Sequence, residues 1–75
     1  MLTAQELKKK IEANQPEVVV VSVKDYGNDL LATYAARDNS RLADPFILAD
    51  KQTGKMQYYS IAEDPDRYYS TPNLL

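Results

Sequence analysis

Hydrophobic positions along this 75-residue chain change their spacing several times, and each change predicts an element. Ala4, Leu7 and Ile11 recur at intervals of three and four, the stripe of a short amphipathic helix. Its start carries two further signals. Thr3 and Glu6 stand in the order of a capping box, and Leu2 and Leu7 occupy the positions of a hydrophobic staple. Asn14 and Pro16 stop the pattern, so the helix is predicted over residues 4–13. Lys8, Lys9 and Lys10 fall in its second half, where cations suit the helix dipole. A helix this short needs a sheet to pack on.

Residues 18–23, five valines and a serine, give the strongest strand signal. A continuous β-branched run implies that both faces are at least partly covered. Strict alternation puts Val19, Val21 and Val23 on one face, with Val18, Val20 and Ser22 on the other. Tyr26-Gly27-Asn28-Asp29 is turn chemistry, and residues 30–36 return as an antiparallel strand. Helix propensity competes at Leu30, Leu31, Ala32, Ala35 and Ala36, but the short distance to a turn on each side decides for strand.

Residues 37–44 are polar and read as a loop. Pro45 opens a third strand over 46–49, a position where proline is tolerated. Asp50 and Gly54 supply the turn residues of a hairpin connection, and residues 56–59 return as a fourth strand. Asp64-Pro65 pairs an N-cap with proline at the first helical position, predicting one helical turn over 65–69. The expected fold class is α+β in a single domain, 1–75. An N-terminal helix packs on a three- to four-stranded antiparallel sheet built from hairpins, followed by a short C-terminal helical turn.

Composition then removes whole classes of chemistry. The chain has no Cys, His or Trp. Disulfides, thiolate and imidazole metal sites and the usual neutral-pH general base are therefore excluded. A domain of this length buries roughly 60% of its unfolded surface, leaving one thin core and little room for a deep cavity. Nine Lys and Arg against eleven Asp and Glu give a net charge of −2, against the basic excess that nucleic-acid binding needs. No apolar run approaches the roughly 18 residues of a membrane span. The N-terminus lacks the basic-then-apolar order of a signal peptide, so a cytosolic protein without nucleic-acid or membrane partners is expected.

Three constellations merit comparison with known chemistry. Thr53-Gly54-Lys55 echoes the end of a phosphate-binding loop, but Ala49 replaces the earlier glycine, Met56 replaces the Ser or Thr, and a strand follows. A hairpin turn accounts for it. Glu63-Asp64-Pro65-Asp66 lacks the spacing and the glycine of a calcium loop, and capping accounts for Asp64. No catalytic, cofactor or metal residue is assigned, and the chain is expected not to be an enzyme. Six tyrosines are the real compositional excess, with doublets at Tyr58-Tyr59 and Tyr68-Tyr69. Tyrosine joins an apolar ring to a polar tip and serves both small cores and interfaces. Core or tail packing and a partner surface both remain open for them. Tyr58, Tyr59, Tyr68 and Tyr69, with Glu63, Asp64 and Asp66, form the candidate partner surface. The lysine run reads as a solvated helix face.

Residues 44–55, a strand followed by Asp-Lys-x-Thr-Gly-Lys, lead into a second strand and an Asp-Pro-x-x-Tyr-Tyr tail. Over about the C-terminal 30 residues this resembles small uncharacterised phage and prophage proteins, regarded as accessory or virion-region products without enzymatic role. The hairpin also looks like the last hairpin of PepSY-type modules and of some small toxin-immunity proteins. The resemblance carries no functional residue across. It implies a prophage-type protein acting through protein contact or self-association, a homodimer included, in the host cytosol or on the virion. The alternative is an immunity or inhibitor protein that masks a toxin or enzyme with the acids at 63, 64 and 66.

Overall fold

The computed structural model describes residues 1–42 and 45–75. The elements follow as α1 (Ala4–Asn14), β1 (Val18–Tyr26), β2 (Asp29–Ala36), β3 (Phe46–Asp50), β4 (Met56–Tyr58) and α2 (Pro65–Ser70). The strands form one antiparallel four-stranded sheet in sequence order, so the fold is α+β as expected. The described part of the expected loop, 37–42, is neither helix nor strand; its last two positions, Ala43 and Asp44, lie outside the described residues.

Local chemistry sets the boundaries. The capping box is complete: Thr3 Oγ1 accepts from the Glu6 N–H at 3.2 Å, and the Thr3 N–H donates to Glu6 Oε1 at 3.0 Å. The bond from Thr3 holds the Glu6 carboxyl below the ordinary range. Because α1 runs on to Asn14, its last turn has no basic residue, and the lysines occupy the middle of the helix instead of its end. Gly27 and Asn28 connect β1 to β2. Gly27 has φ +74° and Asn28 does not share the left-handed region, the pattern of a type II′ hairpin turn. In the second hairpin Gly54 has φ +75°, and Asp50 Oδ1 accepts from the backbone N–H of Gln52 and Thr53 at 2.8 and 3.0 Å.

One irregularity reorders the valine strand. Val20 lies opposite Tyr34 and Ser22 lies opposite Thr33, so Val21 is the extra residue of a β-bulge. It is 51% exposed. Beyond it the alternation shifts by one residue. Val18, Val20 and Val23 therefore share the face beneath α1, in place of the Val19-Val21-Val23 grouping that strict alternation implies. On that face Leu7 and Ile11 of α1 meet these valines together with Leu30, Ala32, Tyr34, Ile47 and Ala49. Burying Leu7 and Ile11 contributes about 1.5–3 kcal/mol each. Ser22, Lys24 and Tyr26 turn to the opposite face with Thr33, Leu31, Phe46 and Leu48.

Both edges of the sheet carry backbone groups that face away from it, and at β1 the chain itself takes up several of them. The Val18 N–H donates to the Gln15 carbonyl at 3.1 Å, and the Val20 N–H donates to Glu12 Oε2 at 2.9 Å. The Val23 N–H donates to Asn73 Oδ1 at 3.0 Å, and its carbonyl accepts from the Leu74 N–H at 2.8 Å. Glu12 thereby joins α1 to β1 while also pairing with Lys8 one turn earlier.

The ammonium of Lys8 and the Val20 N–H hold the Glu12 carboxyl below the ordinary glutamate value. A depressed folded-state pKa stabilises the fold above the unfolded value and loses that contribution as the pH falls through the folded one. Urea unfolding of the wild type and Glu12→Gln should therefore differ at pH 7, with the gap closing from about pH 5 downward through the ordinary value of about 4.3. A gap of constant size across that range contradicts this role for the charge.

Candidate functional site

A third layer covers the face away from α1. α2 has six residues, too few to persist alone. Asp64 caps its start, its Oδ1 accepting from the Arg67 N–H at 3.4 Å, and Pro65 stands in its first turn, as the Asp-Pro pair predicts. Ring contacts and hydrogen bonds then fix it to the sheet. Tyr68 packs edge-to-face on Phe46 of β3, with centroids 5.4 Å apart. Its hydroxyl reaches Thr33 Oγ1 at 2.7 Å and lies 3.5 Å from Ser22 Oγ.

Lys24 completes this contact. Its ammonium donates to the Tyr68 carbonyl at 2.6 Å and sits 3.6 Å from the centroid of the same ring. That carbonyl belongs to the end of α2, where a cation suits both the free acceptor and the dipole. Lys24 is 9% exposed, so the ring face and the carbonyl replace its water. Nearer the strand's end, the Arg67 guanidinium lies 4.1 Å over the Tyr26 ring, and Tyr59 meets that ring edge-on at 6.0 Å. The Tyr26 hydroxyl is buried and meets no hydrogen-bond partner among the described residues. Burial, reinforced by Tyr59, pushes this phenol above its ordinary pKa.

The seven candidate partner residues are divided by this arrangement. Tyr68 is half-buried and forms the centre of the tail contact, and Tyr59 is half-buried against Tyr26. Tyr58, opposite Ile47 in the ladder, belongs to the face that carries α1, and it is 74% exposed. Tyr69 is 76% exposed on α2, its ring 5.3 Å from that of Tyr68. Asp64 is engaged as a cap, while Glu63 and Asp66 are exposed on either side of it. Tyr58 and Tyr69 thus present aromatic area on different sides of the sheet. Lys24, Phe46, Arg67 and Asn73 carry the tail contact without having been singled out from the sequence. For Lys24 a signal existed, a cation set directly after a run of valines.

A cavity of about 360 Å³ lies at the turn end between Met1, Gly27, Asn28, Asp50, Lys51 and Gln52. Its charged groups have structural engagements. Backbone N–H groups, Thr53 first, hold the Asp50 carboxyl below its ordinary range, and Lys51 pairs with Asp25 at 2.8 Å. Among the described residues no three acidic side chains converge as metal ligands do, and no helix is long and apolar enough to cross a membrane. Set against known proteins, the chain matches no family model, no curated protein and no solved structure.

The phenols of Tyr68 and Tyr26 should respond oppositely to loss of the hydroxyl. Tyr68→Phe removes a satisfied hydrogen bond and leaves Thr33 unpaired, lowering unfolding stability by about 1 kcal/mol. Tyr26→Phe removes an unpartnered group and should leave stability unchanged or higher. Denaturant melts of both variants check this; an equal loss in each contradicts the assignment.

Proposed function

We propose that this chain is a non-enzymatic interaction protein of the phage or prophage accessory kind, acting through protein–protein contact in the cytosol. The observation that carries the reading is the division of the tyrosines. Tyr58 and Tyr69 stay about three-quarters exposed while the other four pack into the fold. A large ring with a polar tip left at the surface is the chemistry of interfaces, where Tyr is enriched. The strand and Asp-Lys-x-Thr-Gly-Lys turn at residues 44–55, with the strand and Asp-Pro-x-x-Tyr-Tyr tail that follow, support the phage assignment.

The exposed carboxylates of Glu63 and Asp66 favour one second reading, an immunity or inhibitor protein that masks a cationic surface. Such a complex would associate more slowly as salt rises. Capsid or tail genes beside the coding sequence support the first reading, and a toxin gene there supports the second.

The test is photo-crosslinking from positions 58 and 69 in the native cell, followed by affinity measurement on the product. A discrete protein adduct is expected, with Tyr58→Ala or Tyr69→Ala weakening that complex about tenfold or more if the ring is an anchor. No protein adduct at either position, or a reproducible turnover lost on a single carboxylate or tyrosine substitution, overturns it.

A further inference from the structure

The two edges of the sheet are treated differently. At β1 the outward N–H groups of Val18, Val20 and Val23 and the Val23 carbonyl are bonded by Gln15, Glu12, Asn73 and Leu74. At β4 the ladder shows which groups face out. The Asp50 N–H donates to the Lys55 carbonyl and the Tyr59 N–H to the Phe46 carbonyl. Because antiparallel pairs alternate, Lys55, Gln57 and Tyr59 turn their backbone toward β3, and Met56 and Tyr58 turn theirs away. Among the described residues no turn, loop or tail backbone group bonds Met56 or Tyr58.

We propose that β4 pairs antiparallel with β4 of a second copy of this chain, about a two-fold axis at Gln57, making one continuous sheet of the two. The proposal rests on the reading of the chain as an interaction protein and names its partner. The register follows from the outward groups. Each Met56 exchanges both backbone bonds with the second copy's Tyr58, and the two Gln57 residues face each other as a non-hydrogen-bonded pair.

The side chains are self-complementary in that register. Lys55 falls opposite the second copy's Tyr59, so no like charges meet across the pair. Met56 falls opposite the second copy's Tyr58, thioether beside ring, a favourable contact. Both sit on the α1 side, at the open apolar cavity of about 210 Å³ lined by Gln15, Ile47, Met56, Gln57 and Tyr58. The pairing covers that cavity and accounts for the exposed ring of Tyr58. An isologous contact of this kind closes on itself, and the β1 edges at the far ends are partly taken up by their own chain. β4 is only three residues long. Its edge falls well short of the roughly 800 Å² per partner of a standard interface, so the dimer is weak, with a Kd on the order of 100 µM.

Sedimentation velocity of the full chain from about 10 µM to about 1 mM reads this directly, since that range spans the expected Kd. The wild type should pass from monomer to dimer. Tyr58→Pro removes an outward N–H and the exposed ring without touching the β3 ladder, and it should stay monomeric throughout. Gln57→Lys places like charges on the axis and should weaken association about fivefold. An equimolar mixture of Gln57→Lys with Gln57→Glu should associate more tightly than either alone. This charge exchange keeps the test decisive even where Tyr58→Pro fails to fold.

A wild type monomeric at about 1 mM overturns the dimer, since the expected Kd is lower. So does a dimer indifferent to all of these substitutions, which places the contact elsewhere. A monomer that instead takes up another protein's extended segment at β4 overturns the second copy as occupant and leaves the interaction reading standing. Only a chain with neither self-association nor a protein adduct loses both.

Discussion

The fold depends on the bonds the Val23 backbone makes to the Asn73 side chain and the Leu74 N–H. Val23 lies fully buried beneath α1, while its N–H and carbonyl hold the end of the chain against the edge of β1. All three layers therefore meet at one residue. Releasing the tail would remove the cover from Leu31 and Phe46, strip Lys24 of the carbonyl that replaces its water, and open the β1 edge at once. A six-residue helix has no stability of its own to resist that, so its attachment is cooperative with the sheet.

The polar groups under α2 show what this third layer costs and what offsets it. Among the described residues no carboxylate pairs with the buried Lys24, yet the Tyr68 carbonyl at 2.6 Å and the ring face at 3.6 Å replace most of what water gave it. Tyr26 is the opposite case. Its ring is well used, between Arg67 above and Tyr59 at its edge, but its hydroxyl meets no partner among the described residues. An unpaired buried hydroxyl costs about 1–3 kcal/mol. The aromatic and cation contacts around the ring must exceed that for α2 to stay down.

Much of the fold was legible because its signals are local. A capping box, a turn at Gly27-Asn28 and an Asp-to-Gly hairpin each declare themselves within six residues, and all three appear where the sequence places them. The bulge at Val21 was not legible, because in a row of identical valines nothing marks which one is extra. One hidden residue then reversed the faces of everything before it relative to Val23. The candidate site was legible as a composition, six tyrosines with two doublets, and not as a geometry. Adjacent rings were divided by a strand's alternation at 58 and 59 and by the long-range pull of Phe46, Thr33 and Lys24 on Tyr68, distances in sequence over which no pattern is carried.

What results is a sheet with one edge partly closed by its own chain, at Val18, Val20 and Val23, and the other left open, and the surface chemistry follows from that asymmetry. Amide hydrogen exchange on dilute, monomeric protein tests it most directly. The Val23 and Leu74 amides should exchange more than about tenfold slower, relative to an unstructured chain, than those of Met56 and Tyr58. Protected Met56 and Tyr58 amides in the dilute protein, or Val23 and Leu74 amides exchanging as freely as they do, would contradict a β1 edge closed at Val23 and an open β4.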